Sequence, residues 1–288
     1  MSRRALWLAL APLLAGASCG PPALPWPASP LLRTELTPAT GLTRAQALEQ
    51  IVGRYAHFDV VAYQEPMRGA PMRTFIISYG FTEFSLRGGE LVETDRFCHA
   101  EHRINRQGME SSLSDRATRA IKPPSQAVKL SEREGAWLLH RPATPSLIGV
   151  AGDPNQPLPK DPKAAQFTDP DGDGKPGVTV QIKANRWVKG QVYLARREIF
   201  ENHLMLMSDG SILGFVNDRS EQLVAGASSF LFNEQADPKQ VDDVGLNPIV
   251  LTPIPETLTD CDELMSQRQR WFPAAPAFGA KQPDSRAR

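Results

Sequence analysis

TFIISYGFTEFSL, residues 74–86, decides the fold class. Apolar and polar residues alternate through it, so Phe75, Ile77, Tyr79 and Phe81 share one face. A period of two marks a half-buried strand, because successive side chains of an extended chain point to opposite sides. Gly88 and Gly89 make a turn, and residues 91–104 return as the partner strand.

Outward from this hairpin the same β-type pattern recurs. It covers residues 58–63, 128–130, 136–139, 178–182, 191–199, 203–207, 212–216, 222–232 and 249–254, with Asp209-Gly210 as a second hairpin turn. Two short helices flank the strands. Thr43-Arg44-Ala45-Gln46 is a capping-box pattern opening a helix over 43–52, and Thr259-Asp260-Cys261-Asp262 opens another that ends near Arg270. The expected fold is all-β: an antiparallel barrel or two-layer sandwich of about ten strands with two short helices. The expected domain spans 41–272, with possible halves 41–141 and 178–272. A Pro-rich connection, 142–177, joins them and is too long for an ordinary loop.

The 288 residues are 41% hydrophobic, enough for a real core. Lys+Arg and Asp+Glu number 32 each, which excludes the basic surplus of a general nucleic-acid binder. Three cysteines are too few for a disulfide-dense miniprotein.

The N-terminus reads as an address. Arg3-Arg4 precedes an uncharged apolar run, Ala5 to Ala15, too short to span a bilayer comfortably. Gly16-Ala17-Ser18-Cys19-Gly20 follows and resembles the lipobox of bacterial lipoproteins. That resemblance implies cleavage of residues 1–18 and lipidation of Cys19. It implies a protein held in the cell envelope by a lipid anchor, at the outer membrane or the periplasmic face. Ala15-Gly16-Ala17 also fits the A-x-A rule of ordinary secretion, with a cut before Ser18, so a secreted protein stays open. Cleavage before Cys19 removes Arg3 and Arg4 and no acid, leaving 30 basic against 32 acidic residues. Residues 19–40 carry Pro21, Pro22, Pro25, Pro27, Pro30 and Pro38 and read as an extended tether. Residues 273–288 read as a disordered tail.

With Cys19 lipidated, Cys98 and Cys261 remain in an oxidising compartment. An even remainder predicts one disulfide, from the early sheet to the C-terminal segment.

The sharpest chemical motif is DPDGDGKPG, residues 169–177. A hard cation such as Ca²⁺ takes several oxygens, and a wrapping loop can turn positions 1, 3, 5 and 7 inward. Those are Asp169, Asp171, Asp173 and the backbone carbonyl of Lys175. The segment resembles the first half of an EF-hand loop and the D-x-D-G-D-G loops of β-propeller and thrombospondin-type calcium repeats. Position 12 is Val180 instead of a bidentate Glu, and Pro176 stops an exiting helix, which rules out a true EF-hand. The expectation is a structural calcium loop between strands, set against a plain solvated turn. The run DPDGDGKPGVTV, then Gly190-Gln191-Val192-Tyr193, also resembles β-rich envelope proteins of predatory soil bacteria. That likeness implies a cysteine in each half and brings no activity.

Cys98-His99-Ala100-Glu101-His102 invites a zinc reading, but residues three apart on a strand face opposite ways. No strained nucleophile turn marks a serine, so the chain reads as non-catalytic, with a hydrolase of unrecognised type as a third possibility. Gly53-Arg54-Tyr55 after a short helix is similar to the G-x-W opening of lipocalins. That similarity implies a barrel holding a small apolar ligand, in which Phe75, Ile77, Tyr79 and Phe81 line either a cavity or a filled core. The leading expectation is a non-catalytic envelope lipoprotein with a possible envelope protein partner; a lipocalin-like carrier is the alternative.

Overall fold

A computed structural model describes residues 23–27, 36–67, 70–236 and 238–279. Cys19, the leader 1–18 and the tail beyond 279 lie outside the described residues. The structure is mostly β, 49% strand, with four short helices among the described residues.

Helix α1 (Arg44–Ile51) carries the expected capping box, with Thr43 and Gln46 each satisfying the other's backbone N–H. Strands β1 (Gly53–Glu65), β2 (Met72–Arg87) and β3 (Glu90–Ile104) then form an antiparallel meander. Next come β4 (Glu110–Leu113), helix α2 (Asp115–Ala120), β5 (Gln126–Ala127), β6 (Lys129–Arg133) and β7 (Ala136–Ile148). A two-stranded ribbon, β8 (Val150–Ala151) and β9 (Gln166–Phe167), leads into the Asp-rich loop. Strands β10 (Val178–Lys183), β11 (Lys189–Leu206), β12 (Ile212–Asp218), β13 (Glu221–Ala227), β14 (Lys239–Gln240) and β15 (Pro248–Pro253) follow. Helices α3 (Cys261–Ser266) and α4 (Arg268–Trp271) end the domain.

The main path of the sheet is β4-β10-β11-β12-β15-β1-β2-β3-β5, all antiparallel, and it curls into a half-barrel. The two expected halves do not separate: β15 lies between β12 and β1 and joins both into one sheet. The expected break between residues 199 and 203 is also absent. β11 runs unbroken for 18 residues, with β10 and β7 along one edge and β13 and β12 along the other. Nor is the stretch from residue 142 a loop from its start. β7 passes through Pro142 and Pro145, beyond His140, where its pairing with β6 ends and a missing N–H costs no ladder bond there.

The alternation read in residues 74–86 sorts the meander into two faces. Phe58, Phe75, Ile77, Tyr79 and Phe81 point away from the concavity into a solid cluster with Leu258, Leu264 and Phe272 of the C-terminal segment. They therefore make a filled core and do not line a cavity. The opposite parity, including Val61, Thr74, Ile76 and Ser78, faces the concave side. At the end near α1 that side is also solid, packed with Ile51, Tyr55, Phe84, Trp137, Leu139 and Leu206.

The outer cluster is clamped covalently. Cys98 and Cys261 form a disulfide with their Cα atoms 5.3 Å apart. A register shift opposite Tyr79/Gly80 makes this possible, because Cys98 is the extra residue of a β-bulge and turns outward beside His99. Gly80 is required there: a Cβ would stand 2.2 Å from the Arg96 carbonyl oxygen.

Both ends of the chain differ from expectation in their described parts. Within 19–40, Leu24 bonds to Asn105 through its N–H (2.9 Å), and Trp26 packs edge-on to Phe75 at 4.9 Å. Thr40 and Pro38 bridge to Ala136 and Met207. Within 273–288, Phe278 stacks on Phe75 at 4.9 Å. Isolated aromatics in Pro-rich chain find the apolar outer face and tie these segments down.

The disulfide closes a separation of 163 residues. Opening it should destabilise the domain by about 2–5 kcal/mol. Denaturant titration of Cys98→Ser/Cys261→Ser measures this, and an unchanged midpoint would show that α3 and α4 hold their place without the clamp.

Candidate functional site

The concave face is lined by polar and charged groups above its solid end. His57 is buried, with Nδ1 2.7 Å from Thr82 Oγ1 and Nε2 2.7 Å from Asp59. Thr82 donates to Asp95 at 2.6 Å, and Arg141 reaches Asp95 at 3.1 Å and Glu93 at 3.6 Å. Asn202 donates to Glu93 at 3.4 Å. These residues come from β1, β2, β3, β7 and β11 and meet only because the sheet curls. A second group lies further along: Arg196 is 3.2 Å from the Tyr63 hydroxyl, 3.6 Å from Asp218 and 3.8 Å from Glu198.

Protonation follows from burial against charge. Burial alone would lower the His57 pKa, but hydrogen bonds and charge from Asp59 and Asp95 override it and push it up to about 10. Burial opposes ionisation of Asp95 as well, yet Arg141 and His57 hold it well below the usual carboxylate range. Burial and the neighbouring Asp95 charge push Glu93 up. Burial likewise raises Glu198, to about 7. His102, on the same face, is lowered to about 4 by burial and by Arg196.

Above the belt the face is apolar and open. A cavity of about 340 Å³ lies against Ile76, Ile148, Val180, Ile182, Val192 and Leu194. Its lining runs from His57, Asp59, Arg141 and Asn202 out to Glu65, Met72, Phe232 and Pro238, at the tips of the strands. Arg196 Nε is buried with no hydrogen-bond acceptor, and Arg196 belongs to the lining. His102 and Ser111 also line the cavity and pair at 2.8 Å. The described hydrogen bonds and ion pairs of His102 include no carboxylate.

The Asp-rich loop brings together the three carboxylates named from sequence. Oxygens of Asp169, Asp171 and Asp173 lie within 4.8 Å of one another. Gly172 and Gly174, at φ +62° and +80°, make the tight turns this needs. Backbone N–H groups partly neutralise the cluster. Asp169 accepts from Asp173 and Gly174, Asp173 from Lys175, and Asp171 Oδ2 from Thr179 at 3.0 Å. The Gly174 N–H is the main reason the Asp169 pKa is lowered, whereas burial raises that of Asp171. Asp171 is 4% exposed, and its Oδ1 has no partner. Arg116 of α2 donates to the Gly172 carbonyl at 3.0 Å and ties the loop to the domain.

His99 and His102 diverge as their spacing requires: His99 pairs with Asp115 outside, and His102 lies in the cavity. Sequence reasoning missed the polar belt, whose members are scattered from 57 to 218. No family model, curated protein or solved structure matches the chain.

The belt makes stability depend on pH. The unfolded chain releases the His57 proton near 6.5, while the folded chain holds it to about 10. That contribution is complete below pH 6.5 and is lost as pH rises through 10. Glu198, raised from 4.5 to about 7, acts in the same direction at lower pH. Unfolding free energy should therefore fall on the alkaline side, by up to ~1.4 kcal/mol per pH unit for each retained proton. His57→Gln should be less stable at pH 6 and show a flatter slope from pH 7 to 10. Parallel slopes for the two proteins would contradict the assignment.

Proposed function

We propose that the protein is a lipid-anchored envelope binding protein that takes a small amphiphile into the concavity of its half-barrel. The cavity carries this reading. About 340 Å³ of space with an apolar upper wall and a polar floor suits a ligand with a hydrocarbon body and an oxygen-bearing head. The head would accept from Arg196 Nε, a buried donor of the lining that has no hydrogen-bond acceptor and stands 3.8 Å from Glu198. The hydrocarbon would lie against Val180, Ile182 and Val192. This favours a carrier over a β domain that serves only as an interaction surface.

The proposed anchor agrees with such a role. Leu24 is five residues past Cys19, and its carbonyl accepts from Arg73 and Asn105, at the end of the sheet where Glu65 and Met72 complete the cavity lining. A chain that short reaches at most ~18 Å. A lipidated Cys19 would thus keep the opening close to the bilayer surface, a natural source of amphiphiles. Exposed Met67 and Trp187 lie at strand tips of the same end.

The Asp-rich loop serves this reading as a structural calcium site. The support is the convergence of Asp169, Asp171 and Asp173 and the buried, unpartnered Asp171 Oδ1. Asp169, Asp173 and the Lys175 carbonyl would complete it with water. Calcium would brace the loop that leads into β10, whose Val178 and Val180 line the cavity.

Two experiments test these readings separately. Val180→Trp fills the upper chamber and should weaken binding of a fluorescent amphiphile at least tenfold, or roughly 1.4 kcal/mol; equal affinity would overturn the carrier reading. Millimolar calcium should raise the melting midpoint by several degrees over chelator, consistent with ~2–3 kcal/mol at a hundredfold excess over Kd. Asp171→Asn should abolish the difference. Equal midpoints for the wild-type chain would retire the calcium site and leave the carrier reading intact.

A further inference from the structure

We propose that His140, Glu201 and His203 form a binding site for a divalent transition-metal ion of the zinc or copper class, on the convex face of the sheet. His140 of β7 and His203 of β11 are directly paired in register, so their side chains emerge side by side. Glu201 lies two residues before His203 and projects to the same face. The even-numbered residues of β11 from Val192 to Asn202 line the cavity, so these odd-numbered ones point away from it.

The donor atoms already converge. Glu201 Oε1 is 2.8 Å from His140 Nε2 and 3.5 Å from His203 Nε2, and all three ligand atoms lie within 4.8 Å of one another. Ligands at about 2.0–2.2 Å around one tetrahedral ion stand roughly 3.3–3.5 Å apart, so seating an ion needs only side-chain rotation. The rings lie side by side: His140 stacks on His203 at 4.9 Å, and His203 stacks on Phe215 at 5.0 Å. Arg219 lies 3.7 Å from Glu201 Oε2 and leaves Oε1 turned to the histidines. Such outer partners orient ligands.

Two imidazoles and one carboxylate form a borderline donor set. It selects zinc, copper or nickel over calcium and magnesium, which prefer oxygen alone. The site is thus chemically distinct from the Asp-rich loop. Three protein ligands leave a fourth position for water or an external group. The three residues are partly exposed, so an ion can enter. Sequence spacing hid the site, because its ligands are joined across β7 and β11 instead of within one motif.

Isothermal titration of tag-free protein with zinc chloride tests the proposal. One saturable equivalent is expected, with affinity reduced at least about tenfold in His140→Gln and in His203→Gln. Asp171→Asn should leave zinc binding unchanged. Electron paramagnetic resonance of the copper-loaded wild-type chain supplies a readout independent of variant folding, and two coordinating nitrogens are expected. No saturable binding, affinity unchanged in both histidine variants, or a copper spectrum without nitrogen coupling would each overturn the site.

Discussion

A buried carboxylate in a low-dielectric interior requires a proton, a cation or hydrogen-bond donors, and this constraint organises the concave side of the sheet. Asp59, Glu93, Asp95, Glu198 and Asp218 all turn inward, against Arg141, Arg196 and a protonated His57. Acids outnumber cations, and Glu93 and Glu198 answer by holding protons more tightly. A belt of this kind cannot be covered by close-packed hydrocarbon on both sides without large desolvation cost. The solid core therefore stops below it, and the space above stays open. The cavity follows from the charges that floor it.

The convex side follows the opposite logic. Phe58, Phe75, Ile77 and Tyr79 need cover, and the chain returns after β15 to supply it with Leu258, Leu264, Phe272 and Phe278. The bulge at Cys98 turns a thiol toward Cys261 and locks that cover in place. Over β1–β3 the sheet thus has a dry convex face, while its concave face, the wet one, bears the polar belt and the cavity. The Asp-rich loop stands where β9 leads into β10, at the border of the wet face.

Where the signal is local, the fold was legible in the sequence. Phe75, Ile77, Tyr79 and Phe81 alternate along β2, and Thr43 and Gln46 form a capping pair four positions long. Counting cysteines was enough to pair Cys98 with Cys261. The three aspartates of the loop also sit within one short motif. The wet face was not legible, because its signal is carried by register. Nothing in the spacing of His57, Asp95, Arg141 and Asn202 marks them as neighbours. Glu201 and Asn202 fall between the two strands expected at 191–199 and 203–207. They are polar because Asn202 serves the belt while Glu201 and His203 face outward, so the reading that split β11 and the failure to see either site share one cause. Trp26 and Phe278 pack on Phe75 although their segments read as tether and tail: in Pro-rich chain no local pattern announces that a distant face will bind an isolated aromatic.

The central claim is that the concave face, and not the aromatic face, receives an amphiphile. Methyl-resolved NMR titration with a monomeric amphiphile bearing an oxygen-rich head tests it most directly. Shifts are predicted for Ile76, Ile148, Val180 and Ile182, which line the cavity, with Ile77, Ile254 and Leu258 of the convex cluster unmoved. Saturating shifts confined to the convex cluster, or none on the cavity methyls at any concentration below micelle formation, would contradict the account.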